Sequence, residues 1–133
     1  MKTKEMDELK NINDFIYKIL ADLLFKILPE YRTIFELENN EYNLSGGVYL
    51  FMNEFASFLC KEIEKDPKSI IVNKAFTFIN KVGESNNLEV LNILRVGILE
   101  ILYTSKNVDR ELVSNSLSEK LKKYFHEFSR YYN

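Results

Sequence analysis

The chain holds one histidine, His126, and one cysteine, Cys60, so any chemistry that needs imidazole or thiolate must draw on these two. A zinc site takes about four ligands, usually from His and Cys, and one of each at unrelated positions argues against it. A Ser-His-Asp or Cys-His nucleophile would have to recruit the same histidine, and no nucleophile-elbow sequence accompanies it. A di-iron or di-manganese bundle needs inward Glu-x-x-His pairs, which a single histidine forbids. His126 therefore reads as a surface helix residue among Lys and Glu. Cys60, inside the apolar-periodic run FASFLCKEI, reads as a small buried hydrophobe.

Carboxylates are plentiful, and Glu54 in FMNEFASF is the one flanked by aromatic side chains, where burial would raise its pKa. Helical numbering puts it on the side away from Phe51 and Phe58, so solvent exposure is expected. No constellation makes the chain an enzyme, and no metal or cofactor site is expected. The pair Gly46-Gly47 in LSGGVYLF has no following GK[ST] and no preceding strand, so phosphate cradling is the minor reading. A steric role is preferred: residues without Cβ permit a sharp turn into a helix or the close approach of a neighbouring one.

The elements that must position these residues are helices. With 133 residues, 46% hydrophobic, four glycines and two prolines, the chain has a sizeable core and little material for hairpins. The reading is a single domain over 1–133, all-α, a bundle of about six helices. From Asp7 to Leu28, Leu9, Ile12, Ile16, Ile19, Leu20, Leu23 and Ile27 recur at helical spacing, and Pro29 ends the run. EYRTIFELE adds two turns with Tyr31, Ile34, Phe35 and Leu37 inward. Ser45 caps a third helix with Val48, Phe51, Phe55, Phe58, Leu59 and Ile63 on its stripe. Asp66-Pro67 starts a fourth, running to Gly83 with Ile71, Ala75, Phe78, Ile79 and Val82 on one face. NLEVLNILRVGILEILY is the most apolar segment; Glu89, Asn92, Arg95 and Glu100 fall within a restricted arc, which makes Leu88 to Tyr103 the buried central helix. Arg95 and Glu100, five apart, are poorly placed to pair and are expected to find partners on other helices. Asn107 caps a short helix with Leu112 and Val113. SLSE, with Glu119 three residues after Ser116, reads as the capping box of the tail helix, whose stripe is Leu117, Leu121, Tyr124, Phe125, Phe128 and Tyr132.

Charge is uneven along the chain. Residues 1–66 carry 8 Lys/Arg against 13 Asp/Glu, or -5, and residues 67–133 carry 10 against 7, or +3. The acidic density peaks over Glu30 to Glu41. Such a segment reads first as a solvated loop; as a surface it repels phosphate and attracts cations, so nucleic acid is not an expected partner and a basic protein is. No apolar run approaches the ~20 residues that span a bilayer, and the first residues lack the apolar core of a secretory signal. With one cysteine, a cytoplasmic protein without membrane partners is expected. The preferred function is a protein-binding module using Tyr31, Glu36, Glu38, Glu41 and Tyr42. The alternative is a structural or regulatory helical subunit that closes a homodimer.

The run NKAFTFINKVGESNNLEVLNILRVGILEIL, with the chain's length and acidic bias, resembles small helical bacterial proteins, some similar to immunity proteins that neutralise a toxin. The resemblance carries no diagnostic motif, so no residue role follows from it. It implies a cytoplasmic inhibitor occluding the active site of a basic toxin, such as a nuclease, through acidic residues.

Overall fold

The computed structural model describes the backbone of residues 2–39 and 47–132, and the side chains of 14–36 and 47–132. Seven helices run through them: α1 (Lys2–Ile27), α2 (Pro29–Asn39), α3 (Gly47–Lys65), α4 (Ile70–Gly83), α5, α6 (Arg110–Ser116) and α7 (Glu119–Glu127), the last continued by a 3-10 turn, Phe128–Arg130. α5 is one rod made of Leu88–Leu94, a π segment Arg95–Leu99, and Glu100–Thr104. The count is one more than the expected six or so: the two turns read over EYRTIFELE form a full helix, α2, which Pro29 opens at no cost because its missing N–H falls in a first turn.

Four of the helices start where a side chain can accept from free amides. Ser69 accepts from Val72 N–H, Asn87 from Val90 N–H, Asp109 from Glu111 N–H and Ser118 from Leu121 N–H. Three of these correct the sequence reading. Asp66 and Pro67 sit in a turn, with Asp66 accepting from Lys68 N–H and Ser69 N–H, so α4 begins three residues later. Asp109, not Asn107, caps α6. Ser116 ends α6, and Ser118 is the cap of α7. The expected Ser45 cap lies outside the described residues, as do the side chains of Leu9, Ile12 and Leu37. Gly47 has φ +78° with nothing within 4 Å of where a β-carbon would stand, so it serves the turn into α3 and not a close helix contact.

Packing follows from apolar periodicity, with one rotation. α1 and the residue after it bury Tyr17, Leu20, Ala21, Leu24, Phe25 and Leu28, while Ile16, Leu23 and Ile27 are half-buried and Ile19 is exposed. The helix carries apolar residues on more than one side, so spacing alone could not choose the covered one. The aromatic rings of α1, α2, α3 and α4 meet in one cluster: Phe51 lies 5.1 Å from both Tyr17 and Phe35, and Phe55 lies 5.6 Å from Phe78. Ring burial of this kind contributes about 1.5–3 kcal/mol per side chain. At the other end Tyr103 packs on Phe125 and Phe128, with the Arg110 guanidinium 3.9 Å above its ring.

α5 lies against α3, α4, α6 and α7. Leu91, Ile93, Leu94, Gly97, Ile98, Leu99, Leu102 and Tyr103 are buried, so the central-helix reading holds from Leu91 onward. It fails at the start, where Leu88 is 82% exposed, and again at Val96, which is 45% exposed. Gly97 lets α5 approach α3 closely: a β-carbon there would stand 2.8 Å from Met52 Cβ on α3.

Candidate functional site

The π segment decides which polar residues of α5 share a face. Glu100 N–H donates to the Arg95 carbonyl, a bond spanning five residues. In a regular α-helix positions five apart are about 140° apart around the axis. The wider turn brings them close to alignment. Arg95 and Glu100 both reach the tail as a result. Arg95 Nη2 lies 3.4 Å from Glu127 Oε2 and its guanidinium sits 5.0 Å from the Tyr124 ring centre. Tyr132 Oη donates to Glu100 Oε2 at 2.7 Å. The expectation that Arg95 and Glu100 find partners on other elements is met.

α3 supplies the opposite flank. Tyr49 Oη accepts from Asn92 Nδ2 at 2.7 Å and donates to Glu89 Oε1 at 3.3 Å. Burial, and after it the charge of Glu89, pushes the Tyr49 phenol above its usual value, against the opposing hydrogen bond from Asn92. The Tyr132 phenol is also raised, first because it donates to Glu100, whose charge would repel a phenolate.

The outcome is a band of acids along and beside α5: Glu89 and Glu100 accept from tyrosine hydroxyls of α3 and the tail, and Glu127 of α7 faces Arg95. Tyr49, Tyr124 and Tyr132 surround it. Leu88, Asn92 and Val96 follow one another at four-residue spacing along its length, so two exposed apolar side chains lie on the same stripe. Two side-chain polar atoms are buried without a partner among the described residues, Arg95 Nε on α5 and Asn53 Oδ1 on α3.

Of the residues chosen from sequence for the binding surface, Tyr31 and Glu36 have described side chains. Tyr31, which helical spacing put inward although it was also chosen for the binding surface, is buried: its ring lies 4.8 Å from Phe58 and 5.3 Å from Phe55, on the inward side of α2. Glu36 is exposed but is held by Arg32 Nε at 3.0 Å, one turn away. Glu38 lies in α2 with its side chain outside the described residues, and Glu41 and Tyr42 lie outside them altogether. Glu30 bonds Lys74 Nζ at 3.0 Å; hydrogen bonding to its own backbone, and then to Lys74, holds its carboxyl below the usual range.

Chemistry elsewhere is limited. Glu54 is half-buried, against the expected exposure, because the flank of α3 on which it stands is partly covered. His126 is exposed, with Nε2 2.9 Å from Ser114 Oγ; Ser114 is buried, so the contact pins α7 to α6 and leaves the hydroxyl out of a substrate's reach. Cys60 is half-buried, and burial raises its thiol. Two shallow cavities of about 300 and 550 Å³ adjoin at Thr77 and Asn80. Asn80 is already spent, donating to the Ser116 carbonyl and accepting from Ser118 N–H. Glu84, which lines the larger of the two, pairs with Lys81. Among the described residues no three His, Cys, Asp or Glu side chains gather as a metal ion would require, and no helix is long and apolar enough to cross a membrane.

The arc of Glu89, Asn92, Arg95 and Glu100 was legible in the sequence, but the tyrosines that hold it come from α3 and the tail, and no local pattern announces them. Residues 21–133 match the family described as a domain of unknown function (DUF7674), and the chain belongs to that family. No curated protein and no solved structure matches it.

Proposed function

We propose that this DUF7674 chain is a protein-binding module that receives a basic partner on the α5 face. One observation carries the reading: three carboxylates, Glu89, Glu100 and Glu127, are held in place on one outward surface beside exposed Leu88 and Val96. Fixed acids steer a cationic partner and set its orientation. Tyrosine and arginine around an apolar centre supply contact area at low entropic cost. This moves the acidic, tyrosine-bearing surface from α2, where Tyr31 is buried, to α5 and the tail. The finer reading, an immunity-type inhibitor in the cytoplasm that occludes a basic toxin, rests on the resemblance of the chain and on the sign of this charge.

Affinity capture from the native host, with the product of the adjacent gene co-expressed, tests the proposal. The wild-type chain is expected to retain a basic protein that Glu89→Gln/Glu100→Gln/Glu127→Gln does not retain. Equal capture by both would remove this face from the argument. A second reading, a homodimer, is favoured by Phe15 and Ile19, exposed one turn apart on the outer side of α1. Light scattering separates the two: a strict monomer counts against the dimer.

A further inference from the structure

The module reading leaves open which part of the partner the acidic face recognises, and Arg95 answers that. Its bonding is poor for an arginine. Of five N–H donors, one makes a contact among the described residues, to Glu127 Oε2 at a long 3.4 Å; Nε is buried with no partner, and the side chain is 40% exposed. A guanidinium placed to hold a carboxylate presents its fork and donates twice, at shorter distance. Arg95 does neither. What it does have is a charge opposite Glu127 and a position over the Tyr124 ring. Carboxylate on one side and aromatic face on the other is how a protein surface receives a foreign cation.

We infer that Glu127 and Tyr124 form the seat for a cationic side chain of the partner, arginine in first preference, and that the chain's own Arg95 occupies it as a placeholder until the partner arrives. This rests on the reading of the face as a docking surface and adds the chemistry of one contact. Displacement is easy, because an exposed ion pair of this kind favours the closed arrangement by a factor of about two to five. A seat filled by its own residue binds more weakly in proportion to the fraction of time it is filled. Removing Arg95 therefore strengthens capture of a free cation, whereas removing an ordinary contact residue would weaken it. Glu89 and Glu100 do not share this arrangement, since tyrosine hydroxyls and not a cation hold them.

The test uses the full chain with N-acetylarginine amide as probe, followed by NMR on the Glu127 carboxyl and the Tyr124 ring, with N-acetyllysine amide as a second arm. Arg95→Gln is expected to bind the arginine probe about threefold to sixfold more tightly than wild type. Glu127→Gln is expected to lose most of the binding, and the lysine probe is expected to bind more weakly than arginine because it lacks a planar face for Tyr124. Arg95→Lys, which keeps the charge and length close to native, gives an intermediate gain and guards against a folding defect in Arg95→Gln. No gain in either Arg95 variant, or binding by Glu127→Gln equal to wild type, overturns the inference. The parent reading is scored separately: a chain that captures a basic protein but shows no gain on losing Arg95 sinks only the placeholder, and a chain that gains for the probe but captures no basic protein sinks only the module.

Discussion

Replacing Gly97 by alanine probes the join between the π segment and α3 more directly than any other single change. The added β-carbon would meet Met52 Cβ at 2.8 Å. That atom is bound to the α3 backbone and cannot rotate away, so the two helices must separate by several tenths of an ångström in a region where both are buried. Overpacking of this kind costs about 1–3 kcal/mol. Alanine returns up to about 1 kcal/mol through helix propensity. The upper part of the cost range applies to a rigid obstacle, which leaves a net loss of about 2 kcal/mol and a fall in Tm of about 6–8 °C for a chain of this size. Gly83→Ala is the comparison, since its β-carbon would meet Leu121 Cδ1, Cδ2 and Cγ at 2.7–2.9 Å, a side chain and not an atom bound to a helix backbone. It should cost less than Gly97→Ala, toward the lower end of about 1–3 kcal/mol. Urea and thermal denaturation of both variants measure the difference. A Gly97→Ala protein as stable as wild type, or one less damaged than Gly83→Ala, would refute the claim that α3 and the π segment are in rigid contact.

Three further outcomes are expected. Asn80→Ala removes both hydrogen bonds that tie the α6–α7 junction to α4 and should destabilise the protein by about 2 kcal/mol in denaturant titration, at about 1 kcal/mol for each bond. Tyr132→Phe should reduce stability at neutral pH and lose that difference in strong alkali: the phenol's pKa is raised in the fold, so its contribution is present below the unfolded tyrosine value of about 10 and disappears as the pH rises through the higher folded value. Stability curves of the two proteins that stay parallel through that range would contradict it. Cys60, with its thiol raised by burial, should react with a disulfide reagent at neutral pH about tenfold or more slowly than free cysteine, and denaturant should restore the fast rate.

Local pattern suffices for some elements and fails for others. Helical spacing located all seven helices of the described chain to within a few residues, and in α3, α4 and the tail it also chose the buried side, because each carries a single apolar stripe. Capping was less legible: SNSLSE offers several hydroxyls within a few residues, and the one that caps α7 belongs to the residue whose own N–H already bonds Asn80 on α4. Tyr31 illustrates the limit for function. The acidic residues around it made it a choice for the binding surface, but helical spacing already turned its ring inward, where it meets Phe55 and Phe58 from the next helix, more than twenty residues further along the chain.

By itself, then, the amino-acid order determined an all-helical chain, the apolar α5 rod with its narrow polar arc, and the scarcity of His and Cys, since these depend on composition and on a period of about 3.6 residues that any isolated segment displays. The tertiary structure decided which side of α1 is covered, that Arg95 and Glu100 share a flank through a π turn, and that tyrosines from α3 and the tail hold the acids of α5. The π turn is a local bond whose register no apolar period announces, and the other features arise from contacts between residues far apart in the chain, whose geometry exists only once the helices have packed.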